Sequence, residues 1–279
     1  MNLMRPLSML RASGLLVLAS IALVGSPSGA DAQEVKRLFA PLIADPKQPH
    51  FFATWLWVKS PMVTGTLANI GLGEDVAVAS GRNRRWEISI AAGVFSQFNM
   101  GTRSNDLINT DFTIGFPFAY RTGPGSLRLK LYHQSSHLGD EFILNTNPTR
   151  VNLSFEALEL LASREFGAVR AYGGGEYIVR HEPADLKPGL LHAGVEFRPP
   201  SRGLRRGQLI AAIDAKSSEE RKWRVGWSGR VGMEMRVPMQ GTTVRRFSVQ
   251  LQGYSGPAPY GQFYQENVRS LGIGIHLAL

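Results

Sequence analysis

A histidine and a serine two residues apart, His133 and Ser135, have the residue types and the spacing for acyl-transfer chemistry. They lie in LRLKLYHQSSHLGDE, residues 127–141, where apolar and polar residues alternate with the two-residue period of a β-strand. Because residues two apart in a strand share a face, the imidazole and the hydroxyl lie close together, directly after three leucines on that face. A neutral histidine can accept the proton of a serine hydroxyl and so make the serine a nucleophile.

The same segment has two further interpretations. His137 follows Ser135 on the same face at the same spacing and could replace His133 as the base, although we expect His133 in this role. Polar residues at the end of an apolar face are also typical of a membrane strand that reaches the interface, where they need no catalytic role. The sequence leaves these interpretations open.

The elements that must position these residues are β-strands along almost the whole chain. Alternation begins at Phe51 and continues towards the C-terminus in about twelve segments, many with the roughly 9–11 residues of a tilted membrane strand. The polar faces carry glycines and charges of both signs, which suits a hydrogen-bonded lumen, and an apolar interior of this width would leave voids. The sequence therefore predicts an all-β fold, a transmembrane antiparallel β-barrel of about 12 strands.

The N-terminus predicts export. Arginines precede an apolar run at residues 14–24, and Ala30-Asp31-Ala32 supplies a cleavage site of the A-x-A type. We expect three regions: a signal peptide at residues 1–32, a periplasmic lead-in segment at residues 33–50 and an outer-membrane β-barrel at residues 51–279. The chain has no cysteine, which excludes disulfides, thiolate sites and a lipid anchor on cysteine.

The formal net charge of +9 indicates the class of partner. In an exported protein, a basic balance favours the anionic phosphates of membrane lipids or lipopolysaccharide, and the sequence has no motif of interleaved basic and aromatic residues typical of nucleic-acid binding. We therefore expect membrane lipids or lipopolysaccharide as partners, no nucleic acid, and a location in the cell outer membrane of a Gram-negative bacterium.

Loop lengths predict the orientation of the barrel. Short turns at Gly123 and Glu165 flank the opening strand and its neighbour, which by the usual rule places them on the periplasmic side. The long connections then lie outside, at residues 99–109, 138–148 and 256–266. The His-Ser-His segment of residues 133–137 is thereby expected at the depth of the outer leaflet.

Several segments resemble a bacterial family known only as a domain of unknown function, number 1207. They are LFAPLIADPKQPHF (residues 38–51), YHQSSHLGDEF (132–142), RVNLSFEALELL (150–161), EPADLKPG (182–189) and YGQFY (260–264). Tyr132-His133-Gln134-Ser135 is in addition similar to a motif of outer-membrane phospholipase A and the lipid A 3-O-deacylases, barrels with an outward His-x-Ser pair. This local resemblance implies a carboxylic ester hydrolase acting on phospholipid or lipid A.

The resemblance also implies a third residue that orients the histidine, an asparagine or an acid about a dozen residues further on. Asn147 lies at that distance, and Glu141, Asp140 or Asn145 of the same loop are alternatives, whereas the asparagine that follows the serine in those families is Ser136 here. The phospholipase resemblance implies a calcium ion as well, which Asp140 and Glu141 could hold. Two adjacent loop carboxylates are more typical of a solvated loop, so the cofactor is left unknown.

Charges on the predicted inward face suggest a non-enzymatic alternative, either a structural barrel or a narrow anion-conducting channel. The basic residues predicted there are Arg128, Lys130, Arg170, Arg198, Arg224, Arg230 and Arg236. Acids with the same parity are Glu87, Glu156, Glu176, Glu196, Asp214 and Glu234. Interleaved signs are more typical of a salt-bridge network that fills the lumen than of a selective channel.

Overall fold

The structure is a computed structural model that describes residues 33–34, 37–61, 63–200, 206–238 and 243–278. The predicted signal peptide, residues 1–32, lies outside the described residues. Within the described part of the chain, strands account for nearly all regular structure. The helices found there are short, and none has the length and apolar character needed to cross a membrane.

Twelve long strands follow one another along the chain. They are β2 (Phe51–Lys59), β3 (Thr64–Ser80), β4 (Trp86–Asn99), β5 (Leu107–Thr122), β6 (Gly125–Leu138), β7 (Leu153–Phe166), β8 (Val169–Glu182), β9 (Gly189–Phe197), β10 (Gln208–Ser218), β11 (Val225–Pro238), β12 (Thr243–Pro257) and β13 (Asn267–Ala278). A two-residue strand, β1 (Gln33–Glu34), precedes them, and the helix α1 (Asp140–Thr146) lies between β6 and β7.

The twelve long strands close into a barrel. Each pairs antiparallel with the next, and β13 pairs antiparallel with β2, so that the sheet closes on itself. β1 adds a short parallel pairing to the start of β12. Closure satisfies the backbone hydrogen bonds of the edge strands, which is the condition for a sheet that spans a membrane. The predicted all-β antiparallel barrel of about 12 strands is confirmed.

The outward face of the barrel is an apolar belt. On β6, Leu127, Leu129 and Leu131 are exposed, while Ser126 and Arg128, which alternate with them, are buried in the lumen. The same alternation holds around the barrel and leaves large apolar side chains uncovered on most strands. A continuous exposed apolar surface of this extent is unfavourable in water and is typical of barrels that face lipid.

The connections alternate between two ends of the barrel. Residues 123–124 and 167–168 form tight turns at one end, which we call the short-turn end. Residues 100–106, 139–152 and 258–266 lie at the opposite end, which we call the long-loop end. β6 runs from the short-turn end to the long-loop end, so His133 and Ser135 lie in its second half, towards the long-loop end.

Residues 37–50 lie inside the barrel, and we call this segment the N-terminal plug. The plug has no helix or strand, and its prolines disfavour both. Leu38, Phe39 and Leu42 are buried against lumenal residues that include Leu161 and Tyr172. The segment predicted as a lead-in thus fills much of the lumen with apolar side chains. Closed barrels of this width need such filling because their own side chains do not meet across the lumen.

Polar contacts hold the plug to the wall. Arg170 donates hydrogen bonds to the carbonyl oxygens of Ala40 and Pro41 at 2.8 and 3.1 Å, and the Ile43 N–H donates to Glu196 Oε1 at 2.6 Å. Further along the plug, ion pairs join Asp45 to Lys216 and Lys47 to Asp111. The plug therefore crosses the lumen from the short-turn end towards the long-loop end, with wall contacts along its length.

The remaining lumenal charges also pair with one another. The wall pairs are Arg128–Glu159, Lys130–Glu159, Arg170–Glu196 and Arg198–Glu234. Arg230 donates to the carbonyl oxygen of Ile43 in the plug at 2.9 Å. Cations that are occupied in this way do not form a free anion path, so the structure supports a filled lumen rather than a selective pore.

One glycine of the wall is required by close packing. Gly174 lies in the middle of β8, within a Gly-Gly-Gly run, and a Cβ there would collide with the backbone of Leu160 on β7. The run therefore marks a tight backbone approach between neighbouring strands.

Candidate functional site

β6 places His133 and Ser135 on the outward face, as its alternation predicts. Both continue the line of Leu127, Leu129 and Leu131, and both are partly exposed. The neighbouring strand β5 sets Ile114 opposite His133 and Phe112 opposite Ser135, so the pair is flanked by exposed apolar side chains. The imidazole and the hydroxyl thus lie where the apolar belt meets the long-loop end.

Glu156 on β7 is the hydrogen-bond partner of His133. The two residues are direct cross-strand partners, and His133 Nδ1 lies 3.0 Å from Glu156 Oε1. Their side chains are 40% and 34% exposed on the outward face. A carboxylate can only accept a hydrogen bond, so Nδ1 carries a proton, and in the neutral ring Nε2 is then free to accept one.

The outward position of Glu156 differs from the sequence prediction, which placed it in the lumen. On β7 the odd-numbered residues face inwards, so Phe155 and Ala157 are the inward residues on either side of Glu156. Phe155 lies in the lumen beside Tyr132, and the two rings meet edge-on at 6.0 Å. The prediction was wrong because it assumed that the apolar side of each strand faces outwards. Glu156 lies two residues before Leu158, which is exposed, so the two-residue period of the strand would have placed Glu156 on the outward face.

The other residues predicted to orient the histidine belong to α1 and its ends. Asn147 follows α1 in a left-handed conformation, and its N–H donates to the carbonyl oxygen of Ile143 at 2.9 Å. Asp140 and Glu141 are exposed in the first turn of α1, where the helix dipole favours carboxylates. Among the contacts of the described residues, none joins these side chains to His133.

Asn145 and the loop before β5 form a separate polar contact at the long-loop end. Asn145 Nδ2 donates to Asp106 Oδ2 at 3.0 Å, and the Ser104 hydroxyl donates to Asp106 Oδ1 at 2.5 Å. The hydrogen bond from Ser104, followed by that from Asn145, lowers the pKa of Asp106 below its usual value. Asn145 therefore ties α1 to residues 100–106.

Ser135 has an outward serine beside it and a lumenal network behind it. Ser154 of β7 is its direct cross-strand partner. Within the described part of the chain, Ser135 and His133 form no hydrogen bond with each other; catalytic hydrogen bonds often tighten only when substrate is bound. His137 is exposed, and its ring meets Phe112 edge-on at 5.8 Å.

The lumenal network fixes the backbone that carries Ser135. The Ser136 hydroxyl donates to Asn109 Oδ1 at 3.0 Å and also bonds Asp111, which accepts the Gly261 N–H at 2.9 Å. Gln262 Nε2 donates to the carbonyl oxygen of Ser136 at 2.8 Å. Where the resembling families have asparagine, Ser136 thus anchors β6 to the loop at residues 258–266. No sequence pattern indicates this contact, because its partners are remote in the chain.

The closed antiparallel barrel with an apolar outward belt belongs to the class of β-barrels found in outer membranes. The chain belongs to the family described as Protein of unknown function (DUF1207), whose model matches residues 27–279. Both the family and the class of barrel agree with the sequence prediction. A search of curated proteins found no match.

Two solved structures are similar over most of their length. Outer membrane phospholipase A from Escherichia coli has a TM-score of 0.59 and 12% sequence identity, with 88% of this chain and 95% of that chain covered. The Salmonella typhi outer membrane phospholipase dimer with bound calcium has a TM-score of 0.57 and 11% identity, with 82% of this chain and 91% of that chain covered. At these identities the likeness shows a shared fold.

Proposed function

We propose that this protein is an outer-membrane acyl hydrolase that cleaves ester bonds of membrane lipids. Ser135 is the nucleophile, His133 is the base, and Glu156 orients and stabilises the histidine. The observation that carries the proposal is the 3.0 Å contact between His133 Nδ1 and Glu156 Oε1, on the outward face and two residues from Ser135. The fold shared with outer membrane phospholipase A supports it.

The proposed reaction has two halves. His133 Nε2 takes the proton of the Ser135 hydroxyl as Oγ attacks the ester carbonyl, and the tetrahedral intermediate expels the alcohol half of the lipid, which takes the proton from the imidazolium. Water, activated by the same nitrogen, then hydrolyses the acyl-serine and releases a fatty acid. Glu156 carries negative charge beside the imidazolium in both transition states, which stabilises the positive charge that forms there.

The position of the site points to a substrate that arrives from the bilayer. The exposed side chains of Leu131, Phe112 and Ile114 lie beside the pair and offer an apolar surface for an acyl chain. The ester of a phospholipid or of lipid A lies where acyl chains end and polar groups begin, which is the depth expected for Ser135. Membrane lipids and lipopolysaccharide are accordingly the proposed partners, and the outer membrane is the proposed location.

The test is lipid hydrolysis by the purified chain folded in detergent. We expect release of fatty acid from an ester-linked phospholipid or lipid A, no release from an ether-linked analogue, and a loss of roughly 10³-fold or more in Ser135→Ala and His133→Ala. Ser154→Ala is the matched control because it removes the neighbouring outward hydroxyl, and it should retain activity. Hydrolysis that is absent from the wild type, or undiminished in Ser135→Ala, would overturn the proposal.

A further inference from the structure

Three adjacent strands bring Glu159, Glu176 and His192 together on the lumenal face. One potential ligand atom from each residue lies within 4.8 Å of the other two. Glu159 and Glu176 are direct cross-strand partners on β7 and β8, and His192 of β9 pairs with Gly174, two residues before Glu176. Two carboxylates and an imidazole therefore converge from three different strands.

The hydrogen bonds of His192 leave one of its ring nitrogens without a partner. His192 Nε2 lies 2.6 Å from Asp214 Oδ2, and Asp214 also accepts the Tyr172 hydroxyl at 2.5 Å. A carboxylate can only accept a hydrogen bond, so Nε2 carries the proton, and in the neutral ring Nδ1 then carries the lone pair. The ring is fully buried, and within the described part of the chain Nδ1 has no hydrogen-bond partner. Buried acceptors are rarely left in this state.

We propose that Glu159, Glu176 and His192 bind a divalent first-row transition cation. The ligands are His192 Nδ1 and one carboxylate oxygen from each glutamate. Asp214 orients the imidazole by accepting a hydrogen bond from its other nitrogen, Nε2, as carboxylates commonly do for metal-bound histidines. A nitrogen together with two carboxylate oxygens suits Zn²⁺ or Mn²⁺, whereas Ca²⁺ prefers oxygen ligands only. The site lies in the lumen and does not depend on the proposed function of Ser135.

Neighbouring groups already bind both glutamates, so a cation must compete with the positive charges beside Glu159. Arg128 Nε donates to Glu159 Oε1 at 2.8 Å and Lys130 Nζ donates to Oε2 at 3.1 Å, while the Tyr132 hydroxyl bonds Glu176 Oε2. Among the contacts between described residues, Glu176 Oε1 has no partner and can form a ligand bond.

Of the two cations paired with Glu159, Lys130 is the one that the metal ion would displace. Its side chain is 20% exposed against 6% for Arg128. It also borders a cavity of about 220 Å³ that Glu176 and residues of the 258–266 loop line as well. A cation that enters through this cavity takes the place of the ammonium group at Glu159, while Arg128 stays in its ion pair.

The test is Zn²⁺ binding to the full chain in detergent, stripped with a chelator and followed by calorimetry and metal analysis after dialysis. We expect one saturable Zn²⁺ per chain, loss of that binding in His192→Ala, and a 10- to 100-fold weaker site in Asp214→Asn. Lys130→Met should bind Zn²⁺ at least several-fold more tightly because it removes the competing cation. His181→Ala is the matched control, since His181 of β8 contacts the Pro183 carbonyl instead, and it should bind as the wild type does.

The Zn²⁺ affinity is expected to fall in His192→Ala and to rise in Lys130→Met, and these opposite directions keep the proposal falsifiable. A variant that fails to fold cannot bind more tightly, so a gain in Lys130→Met is decisive even if His192→Ala does not fold. No saturable Zn²⁺ in the wild type, equal binding in His192→Ala, or weaker binding in Lys130→Met would each overturn the metal site. None of these outcomes bears on lipid hydrolysis by Ser135.

Discussion

Replacing Glu156 by glutamine tests the orienting role directly. Glutamine keeps the size of the side chain and one oxygen, but it removes the negative charge that faces the His133 imidazolium during the reaction. A hydrogen bond to a charged group contributes about 1.5–3 kcal/mol, which corresponds to roughly 10- to 160-fold in rate. Because the two side chains are 40% and 34% exposed, solvent screens the charge, and we expect the lower part of that range, about 10- to 50-fold.

The assay is initial-rate hydrolysis of an ester-linked phospholipid in mixed micelles, with Glu156→Gln and Ser135→Ala measured side by side. The reasoning requires the glutamine variant to be slower than wild type and still clearly faster than Ser135→Ala. A Glu156→Gln rate equal to that of the wild type would refute the role of Glu156. If Asn147→Ala instead caused the larger loss, the orienting residue would be the one that the resemblance to the phospholipase and deacylase families implied.

Three further expectations follow from the plug and the loops. Arg170→Ala removes one partner of a buried ion pair and two hydrogen bonds to the plug, so it should lower the free energy of unfolding by about 3–5 kcal/mol, measured by urea titration of the barrel in detergent. The wild type should show little conductance in planar bilayers, while deletion of residues 38–47 should open the lumen to ions; strong anion-selective conductance in the wild type would contradict the filled lumen. The pKa of Asp106 is lowered by its hydrogen bonds in the folded state, so its contribution to loop stability is present at neutral pH and is lost as pH falls through that lowered pKa. Hydrogen exchange of residues 100–106, corrected for its intrinsic pH dependence, should therefore accelerate at acid pH, and Ser104→Ala should reduce the difference.

The fold was predictable because both faces of each strand carry a signal. A barrel wall meets apolar surroundings on one side and a polar lumen on the other, so apolar and polar residues alternate along each strand. About twelve strands of this kind predict a sheet that closes into a barrel. The same logic placed His133 and Ser135 on one outward face. It failed at Glu156, because at the start of β7 the apolar residues Leu153 and Phe155 face the lumen and the acid faces outwards.

Contacts between remote segments were not predictable. The plug has no periodic pattern, and its partners Arg170, Glu196 and Arg230 are more than a hundred residues away in sequence. The convergence of Glu159, Glu176 and His192 depends on the register of three strands, which alternation alone does not set. A shift of two residues in one pairing would keep every face the same and separate these side chains.

The plug also bears on how the barrel can close. Its last residue, His50, leads directly into β2, the strand that meets β13 where the two ends of the sheet join. His50 Nε2 lies 2.9 Å from His276 Nδ1 of β13, so the plug contacts the strand pair that closes the sheet. The plug is therefore held at the strands whose pairing closes the cylinder. We expect the joining of the first and last long strands to draw the N-terminal segment inwards in the same step, so that an open, water-filled barrel is never a stage of assembly.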